Sequence, residues 1–181
     1  MSATTYRQAT RKDVEAIALL HAESWRAAYR GMLEDSYLDG PVFEDRRSVW
    51  TNRLSQPRDT QLVVVAEQDA ETVGFGCAYA REDATWGSFL DNIHAHPQRH
   101  GEGIGTGLFA EVVKWCRLVA GNCGLYLYVF GLNRKARRFY EHLGATDTGS
   151  ERRPPGVGGE PRDIHRYAWS TLDAVRLGPW S

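Results

Sequence analysis

The stretch HPQRHGEGIGTGLF, His96 to Phe109, carries glycines at positions 101, 103, 105 and 107 and runs directly into a helical pattern. A glycine inside a helix destabilises it by about 1 kcal/mol relative to alanine. A helix N-terminus has unpaired N–H groups and a partial positive charge, and the missing Cβ atoms let an anion approach those groups closely. The segment therefore predicts a phosphate cradle at a helix start. A flexible loop is the alternative.

The hydrophobic periodicity on both sides of this segment predicts one α/β (α+β) domain. Strands are predicted for TTYRQAT, QLVVVAEQ, TVGFGCAYARED, GSFLDNIHAH, GLYLYVFG, ATDTGSERR and PRDIHRYAW. Helices are predicted from the Thr10 cap to about Tyr29, from Val42 to Leu54, from the glycine segment to Gly121, and from the Asn133 cap to Gly144. This order fits a single mixed sheet.

The composition is that of an ordinary globular protein. Hydrophobic residues make up 42% and charged residues 25%, and the formal net charge is −1. That charge gives no general attraction to nucleic acid or to an anionic membrane surface. Neither a membrane-spanning run nor a signal peptide is recognisable. Cys77, Cys116 and Cys123 lie in apolar segments without metal-like spacing. They are expected to be free buried thiols in a cytoplasmic protein.

Two common phosphate motifs fit the glycine segment poorly. A Walker loop ends in Gly-Lys-Ser/Thr, and no lysine follows any of these glycines. A dinucleotide fingerprint can be placed on Gly105, Gly107 and Ala110, but those glycines fall inside the helix. The region about 20 residues later, LYLYVF, also lacks the carboxylate that would bind a ribose.

The two motifs HGEGIG and NRKARRFYEHLGA together resemble the acetyl-CoA site of the GNAT N-acetyltransferase superfamily. The family phosphate motif, Q/R-x-x-G-x-G/A, aligns with His100, Gly103 and Gly105, and histidine replaces the usual Gln or Arg. The family motif N-x-x-A-x-x-F-Y is matched by Asn133, Ala136, Phe139 and Tyr140. The resemblance covers about residues 4–170 of a single domain, 1–181, with a tail at 171–181. It implies a mixed sheet of six to seven strands with about four helices on its two faces.

The resemblance also implies which residues bind acetyl-CoA. Backbone N–H groups of the glycine-rich helix start hold the pyrophosphate, and the pantetheine arm pairs with the strand that ends at Pro97. Asn133 caps its helix and bonds the pantetheine chain. The implied cofactor-binding residues are Ile93, His94, Ala95, His100, Gly101, Gly103, Gly105, Thr106 and Asn133. Arg134, Lys135, Arg137 and Arg138 form a basic cluster near the expected ribose phosphate, or alternatively a solvated helix face.

The resemblance implies Tyr140 as the general acid toward the coenzyme A thiolate and the Ile93 N–H as the oxyanion donor. Many family members carry a glutamate as general base where this chain has Phe89. Asp91 lies two residues further on the same strand face and is the first candidate to replace it. His94 and Glu23 are further candidates, and a base acting through water, or none, is the remaining alternative.

The first two helices are expected to wall the acceptor site, with Trp25 and Tyr29 contacting the substrate. The leading hypothesis is acetylation of a small-molecule primary amine. Acetylation of a protein N-terminus and a non-catalytic acyl-CoA sensor are the alternatives. A homodimer is expected from what is common in the family. The three histidines at 94, 96 and 100 lack a carboxylate or cysteine spaced to complete a metal site, so no metal is predicted.

Overall fold

A computed structural model describes residues 3–154, 157 and 160–178. Its single sheet has seven strands in the order β1-β2-β3-β4-β5-β7-β6. The strands are β1 (Thr5–Gln8), β2 (Gln61–Gln68), β3 (Glu71–Asp83), β4 (Gly87–Ala95), β5 (Leu125–Phe130), β6 (Thr146–Arg153) and β7 (Arg162–Trp169). Neighbouring strands are antiparallel, except that β4 and β5 run parallel. All seven predicted strands are therefore present.

Five α-helices accompany the sheet: α1 (Val14–Ala28), α2 (Asp35–Asp39), α3 (Val42–Ser55), α4 (Ile104–Ala120) and α5 (Arg134–His142). The prediction of about four helices omitted α2, because a helix of five residues is too short to show a periodicity. The predicted Thr10 cap is confirmed: its side chain and that of Asp13 form a capping box. This box starts a 3₁₀ turn, Arg11–Asp13, directly before α1.

Two hydrophobic clusters lie on opposite faces of the sheet. The larger one contains residues of α4 and α5, among them Leu108, Phe109 and Tyr140. The smaller one contains residues of α1 and α3, among them Ile17 and Trp50. Alternate residues of β2 enter the two clusters, as predicted for a central strand that is apolar on both faces.

The packed region extends past residue 170. Leu172 is buried in the larger cluster, and the Arg176 N–H donates to the Leu143 carbonyl at 2.9 Å. The segment expected to be a tail therefore contributes to the core through a 3₁₀ turn, Leu172–Ala174.

Two further expectations concern the burial of the cysteines and the presence of membrane-spanning helices. Cys77 and Cys116 are buried and free, whereas Cys123 is partly exposed, so the expectation of three buried thiols is wrong at that position. Burial raises the pKa of Cys77 to about 12. Within the part of the chain that the structure describes, none of the helices is long and apolar enough to cross a membrane.

Candidate active site

Strands β4 and β5 pair only at their N-terminal ends and then separate. The paired positions are Ser88 with Leu125 and Phe89 with Tyr126. Both strands continue beyond this point, β4 to Ala95 and β5 to Phe130. The two parallel strands thus form a V-shaped opening in the centre of the sheet, where the C-terminal half of β4 is not paired with β5.

A β-bulge in β4 lies at the point where the strands separate. Cys77 of β3 pairs with Asn92 and Ala78 pairs with Leu90, which leaves Asp91 as an extra residue. A bulge reverses the alternation of side chains along a strand. Accordingly, Ile93 packs against the larger hydrophobic cluster, on the α4 side of the sheet, while Asp91 contacts Arg53 of α3 on the opposite side. The bulge directs the backbone of residues 91–93 toward the opening.

The glycine segment forms a turn that ends at the N-terminus of α4. Gly101 and Gly103 have φ values of +92° and +77°, which L side chains rarely adopt. Gly103 is the N-cap and has no side-chain cap, and its carbonyl accepts the first helical bond, from the Gly107 N–H. Apart from its chain neighbours, no heavy atom of the described residues lies within 4 Å of a Cβ built at Gly101 or Gly103. These two glycines therefore leave open space at the positive end of the helix dipole.

The other two glycines of the segment have different neighbours. A Cβ at Gly105 would meet only the Phe139 ring, at 3.6 Å, which is an ordinary contact. A Cβ at Gly107 would lie 1.9 Å from the Tyr6 hydroxyl oxygen. Gly107 is thus required by packing against β1, and its role is structural. The surroundings of Gly107 therefore differ from those of Gly101 and Gly103, although the glycines alternate in sequence.

His100 connects the cradle to α5. Its Nδ1 atom lies 2.7 Å from Lys135 Nζ, and its ring also bonds to the backbone of Ala95. Burial, followed by the nearby Lys135 ammonium, lowers the pKa of His100. A neutral ring that accepts from lysine and donates to the Ala95 carbonyl satisfies both contacts. His100 therefore holds a lysine charge beside the cradle.

Helix α5 carries Tyr140 into the interior behind the opening. Asn133 caps this helix, because its Oδ1 accepts from the Ala136 N–H at 3.1 Å. Burial raises the pKa of Tyr140, and the nearby Tyr29 contributes to the rise. Burial also raises the pKa of Tyr29 to about 12, with Asp91 contributing. Tyr29 is therefore within electrostatic reach of both Tyr140 and Asp91.

Asp91 forms an ion pair that the sequence did not predict. Its Oδ2 accepts from Arg53 Nη1 at 2.5 Å, and the two side chains are 23% and 24% exposed. Arg53 lies on the inner face of α3, and its guanidinium lies 5.0 Å from the Trp50 ring centre. The Asp91 carboxylate therefore partly neutralises a guanidinium that is largely buried.

The side chain of His94 faces α1. Its Nδ1 atom lies 2.8 Å from Ser24 Oγ, and burial lowers its pKa to about 4, with the Arg46 charge contributing. The ring centre lies 4.8 Å from that of His21, which accepts from the Trp50 indole N–H. The His94 side chain is therefore neutral and packed against α1. Only the backbone groups of His94 can contact a ligand that lies on the α4 side of the sheet.

Aromatic side chains from the end of α1 wall the acceptor side. The Trp25 ring lies under the Arg46 guanidinium, at 4.5 Å, and 5.5 Å from the Tyr29 ring. Tyr29 forms the C-cap of α1 and lies edge-on to Phe130 of β5, at 5.2 Å. Trp25 and Tyr29 thus lie side by side, although Trp25 is held between protein groups. The Glu23 carboxylate contacts the His96 ring, with Oε2 and Nε2 3.4 Å apart.

A cavity of about 330 Å³ lies at the C-terminal end of β5. Met32, Phe130 and Gly131 form one side, and Arg152 and Arg162 of the β6–β7 hairpin form another. It adjoins a second cavity of about 180 Å³, with which it shares Met32 and Arg162. Phe130, which lines the first cavity, contacts Tyr29, and none of the glycines at 101, 103, 105 and 107 lines either cavity.

The sequence missed three features of this site. One is Arg53, whose signal was a charge among the buried positions Trp50 and Leu54 of α3. Another is the bulge at Asp91, and the third is the arginine-lined cavity, for which the sequence carried no local signal because its walls come from three distant segments. Among the described residues, no three histidine, cysteine, aspartate or glutamate side chains converge as a metal site would require.

Sequence comparison assigns the family. The model of the Acetyltransferase (GNAT) family matches residues 20–145, which is more than half of the chain. This chain belongs to the GNAT family. An uncharacterised N-acetyltransferase of Archaeoglobus fulgidus is 31% identical over 142 residues, which cover 74% of this chain and 87% of that protein.

Solved structures share the fold. PaiA N-acetyltransferase from Thermoplasma acidophilum, in complex with coenzyme A, has a TM-score of 0.74 at 19% identity, covering 90% of this chain and 98% of that one. Spermidine N-acetyltransferase from Vibrio cholerae, in complex with coenzyme A and spermine, has a TM-score of 0.68 at 17% identity, covering 94% and 96%. The predicted GNAT fold is confirmed.

Family membership makes this GNAT protein an N-acetyltransferase that uses acetyl-CoA. Its own geometry fits that cosubstrate. The open space at Gly101 and Gly103 lies at a helix N-terminus, a position that favours an anionic group such as a pyrophosphate.

Proposed function

We propose that this GNAT protein transfers the acetyl group of acetyl-CoA directly to a primary amine of a small molecule. The observation that carries the proposal is the V-shaped opening, with an anion cradle on one side and a small cavity beside Tyr29 on the other. That cavity, about 330 Å³, matches a small ligand. The bulky rings of Tyr29 and Phe130 leave less room for an extended peptide, which disfavours the protein N-terminus alternative.

The residues proposed to hold acetyl-CoA line one side of the opening. Backbone N–H groups of Gly101, Gly103, Gly105 and Thr106 would bind the pyrophosphate, with the Lys135–His100 pair adding positive charge. The backbone of β4 from Ile93 to Ala95, which includes His94, would pair with the pantetheine arm. Asn133 would cap α5 and contact the same arm.

Bound acetyl-CoA supplies an electrophilic thioester carbonyl and a thiolate leaving group. The Ile93 N–H, just past the bulge, would donate to the carbonyl oxygen as negative charge develops on it. Tyr140 would donate its hydroxyl proton to the departing sulfur. Its raised pKa keeps that proton in place throughout the physiological pH range.

Asp91 is the proposed acceptor-side base. An alkylammonium has a pKa near about 10.4 and must lose a proton before it can attack. Asp91 would attract the ammonium and take that proton. Its carboxylate also pairs with Arg53, with Oδ2 and Nη1 2.5 Å apart. Trp25 and Tyr29 would form the aromatic wall against which the amine lies.

Release of free coenzyme A, measured with a thiol reagent against a panel of primary amines, tests the proposal. Turnover with at least one small amine is expected, together with mass-spectrometric detection of the acetylated product. Binding of acetyl-CoA without turnover on any small amine would favour the sensor alternative. Turnover confined to peptides with a free N-terminus would favour the protein-acetylating one.

A further inference from the structure

The cavity at the end of β5 carries an excess of positive charge. Three arginines line it, Arg137, Arg152 and Arg162, together with Asp163 and His165. His165 is bonded to Asp147 outside the cavity lining, with Nδ1 and Oδ2 2.7 Å apart. Asp163 is therefore the one acidic side chain that faces three guanidinium groups within the described lining.

One of the three arginines is engaged by the protein itself. Arg137 donates from Nε to the Tyr167 hydroxyl at 3.0 Å and from Nη1 to the Gly131 carbonyl at 3.2 Å. Its Nη2 atom also lies 3.6 Å from Asp147 Oδ2. These contacts fix Arg137 as part of the cavity wall.

The other two arginines have donors to spare. Among the described residues, neither Arg152 nor Arg162 makes an ion pair, even though Asp163 stands opposite Arg152 in the strand register. The Nε atom of Arg162 is buried and has no hydrogen-bond partner within the described structure. A buried N–H without a partner is destabilising, so such a donor favours a ligand that carries an acceptor group.

The cavity lies next to the site proposed for the reacting amine. Phe130 lines the cavity, and the centres of the Phe130 and Tyr29 rings lie 5.2 Å apart. A ligand that extends from the proposed amine site past Tyr29 into the cavity would place its other end beside guanidinium groups. Guanidinium groups bind carboxylates and phosphates through paired charge-assisted hydrogen bonds.

We propose that the acceptor is an amine that also bears an anionic group, a carboxylate or a phosphate, and that Arg152 and Arg162 bind this group. The inference rests on the proposed acetylation of a small amine and specifies its substrate class. A polyamine is the competing class. It would have to use the adjoining cavity of Glu34, Asp35 and Glu160, where Asp35 is already paired with Arg30 at 2.9 Å.

The substrate panel for the test consists of matched pairs. α-Amino acids are compared with their amides, glucosamine 6-phosphate with glucosamine, and spermidine is included as the polyamine. The anionic member of at least one pair is expected to show a kcat/KM about tenfold or more above its neutral partner and above spermidine. The two pairs separate carboxylate from phosphate. Preference for spermidine or for the neutral members would overturn the proposal.

Arginine variants test where the anionic group of the acceptor binds. Arg152→Ala and Arg162→Ala are expected to raise KM for the anionic acceptor about tenfold, while KM for acetyl-CoA and turnover of neutral amines stay unchanged. Arg47→Ala is the control. It removes the same charge from the exposed face of α3, where Arg47 Nη2 lies 2.6 Å from Glu44 Oε2. An equal effect of Arg47→Ala would contradict the assignment.

Calorimetry of the anionic acceptors with the protein–coenzyme A complex gives a readout that does not need turnover. Binding that weakens in Arg152→Ala and Arg162→Ala supports the proposal, even if no acceptor is acetylated. Absence of binding by every anionic amine, in protein that binds coenzyme A, contradicts it. Failure of the proposed function itself has a different signature, because coenzyme A would then bind and anionic amines would bind, but no coenzyme A would be released from acetyl-CoA.

Discussion

The rings of Tyr29 and Phe130 lie edge-on with their centres 5.2 Å apart, which joins the C-terminus of α1 to the end of β5. Phe130 also lines the cavity of Arg152 and Arg162. The proposed chemistry depends on this contact, because the amine would react beside Tyr29 and the rest of the acceptor would be recognised in the cavity.

Replacing Tyr140 with phenylalanine tests the proposed acid. Tyr140→Phe keeps the ring that packs against Phe139 and Trp169 and removes only the hydroxyl. Loss of a general acid is expected to lower kcat by about 10²-fold or more, with acetyl-CoA affinity nearly unchanged. Steady-state kinetics and calorimetry on the same preparation measure both quantities.

Tyr29→Phe serves as the matched control for that experiment. It removes the neighbouring buried hydroxyl but keeps the contacts with Trp25 and Phe130. Its effect on kcat is expected to be much smaller. Equal turnover of Tyr140→Phe and the unchanged protein would show that Tyr140 is a packing residue.

The pH dependence of Asp91→Asn tests the proposed base. If Asp91 takes the proton from a bound ammonium, kcat/KM for the acceptor is nearly constant above the range in which a carboxylate titrates. Without that base only the free amine reacts, so kcat/KM in Asp91→Asn is expected to rise about tenfold per pH unit below the amine pKa. A rise of that slope in the unchanged protein would contradict the assignment.

Two alanine substitutions separate the functional glycine from the structural one. Gly105→Ala meets only an ordinary contact, so the protein is expected to be as stable or more stable by up to about 1 kcal/mol. Its acetyl-CoA affinity is nevertheless expected to fall, because the methyl group occupies space proposed for the pyrophosphate. Gly107→Ala collides with Tyr6 and is expected to lower stability while the folded fraction binds normally.

Urea unfolding and calorimetry measure the two effects. Unchanged affinity of Gly105→Ala would exclude Gly105 from the cradle. Full stability of Gly107→Ala would show that Tyr6 moves without penalty and that packing does not require this glycine.

The buried histidines predict how stability depends on pH. Burial lowers the pKa of His94 to about 4 from 6.5 and also lowers that of His21. Between pH 6.5, the ordinary histidine pKa, and pH of about 4, the pKa of His94 in the folded protein, the unfolded chain binds more protons than the folded one. Stability is therefore expected to fall as the pH decreases from 6.5 toward 4, and to level off below that for these groups.

The midpoint of urea unfolding, followed from about pH 7 to about pH 4.5, measures this loss. His94→Gln cannot titrate and should show a smaller loss over the same window. An equal loss in that variant would assign the effect to other groups. The Asp13 carboxylate, whose pKa Arg7 lowers to about 2, contributes only at more acidic pH.

Local patterns were sufficient to predict most elements of the fold. Thr10, Asn133 and Gly121 ended or began helices where predicted, because caps depend on side chains next to the terminus. Helix α2 was missed because its five residues contain too few turns for a periodic signal. The role of Leu172 was missed because its burial depends on a distant part of the chain.

In the candidate site too, features formed by contiguous residues could be predicted, and features formed by residues distant in sequence could not. The helix start after Gly103 was predicted because a helix start and its glycines are contiguous in sequence. Arg53 was not, because its partner Asp91 is 38 residues away and only the folded sheet brings the two together. For the same reason the sequence did not show that Gly107 packs against Tyr6. In the sequence, Gly107 looked equivalent to the other three glycines of the segment.

The central claim is that backbone amides at the start of α4 bind the pyrophosphate of acetyl-CoA. Titration of ¹⁵N-labelled protein with coenzyme A, followed by amide chemical shifts, tests it most directly. Saturable shifts concentrated at Gly101, Gly103, Gly105 and Thr106, and along β4 from Ile93 to Ala95, are predicted. Saturable shifts confined to other regions, or no shifts in folded protein, would contradict the account.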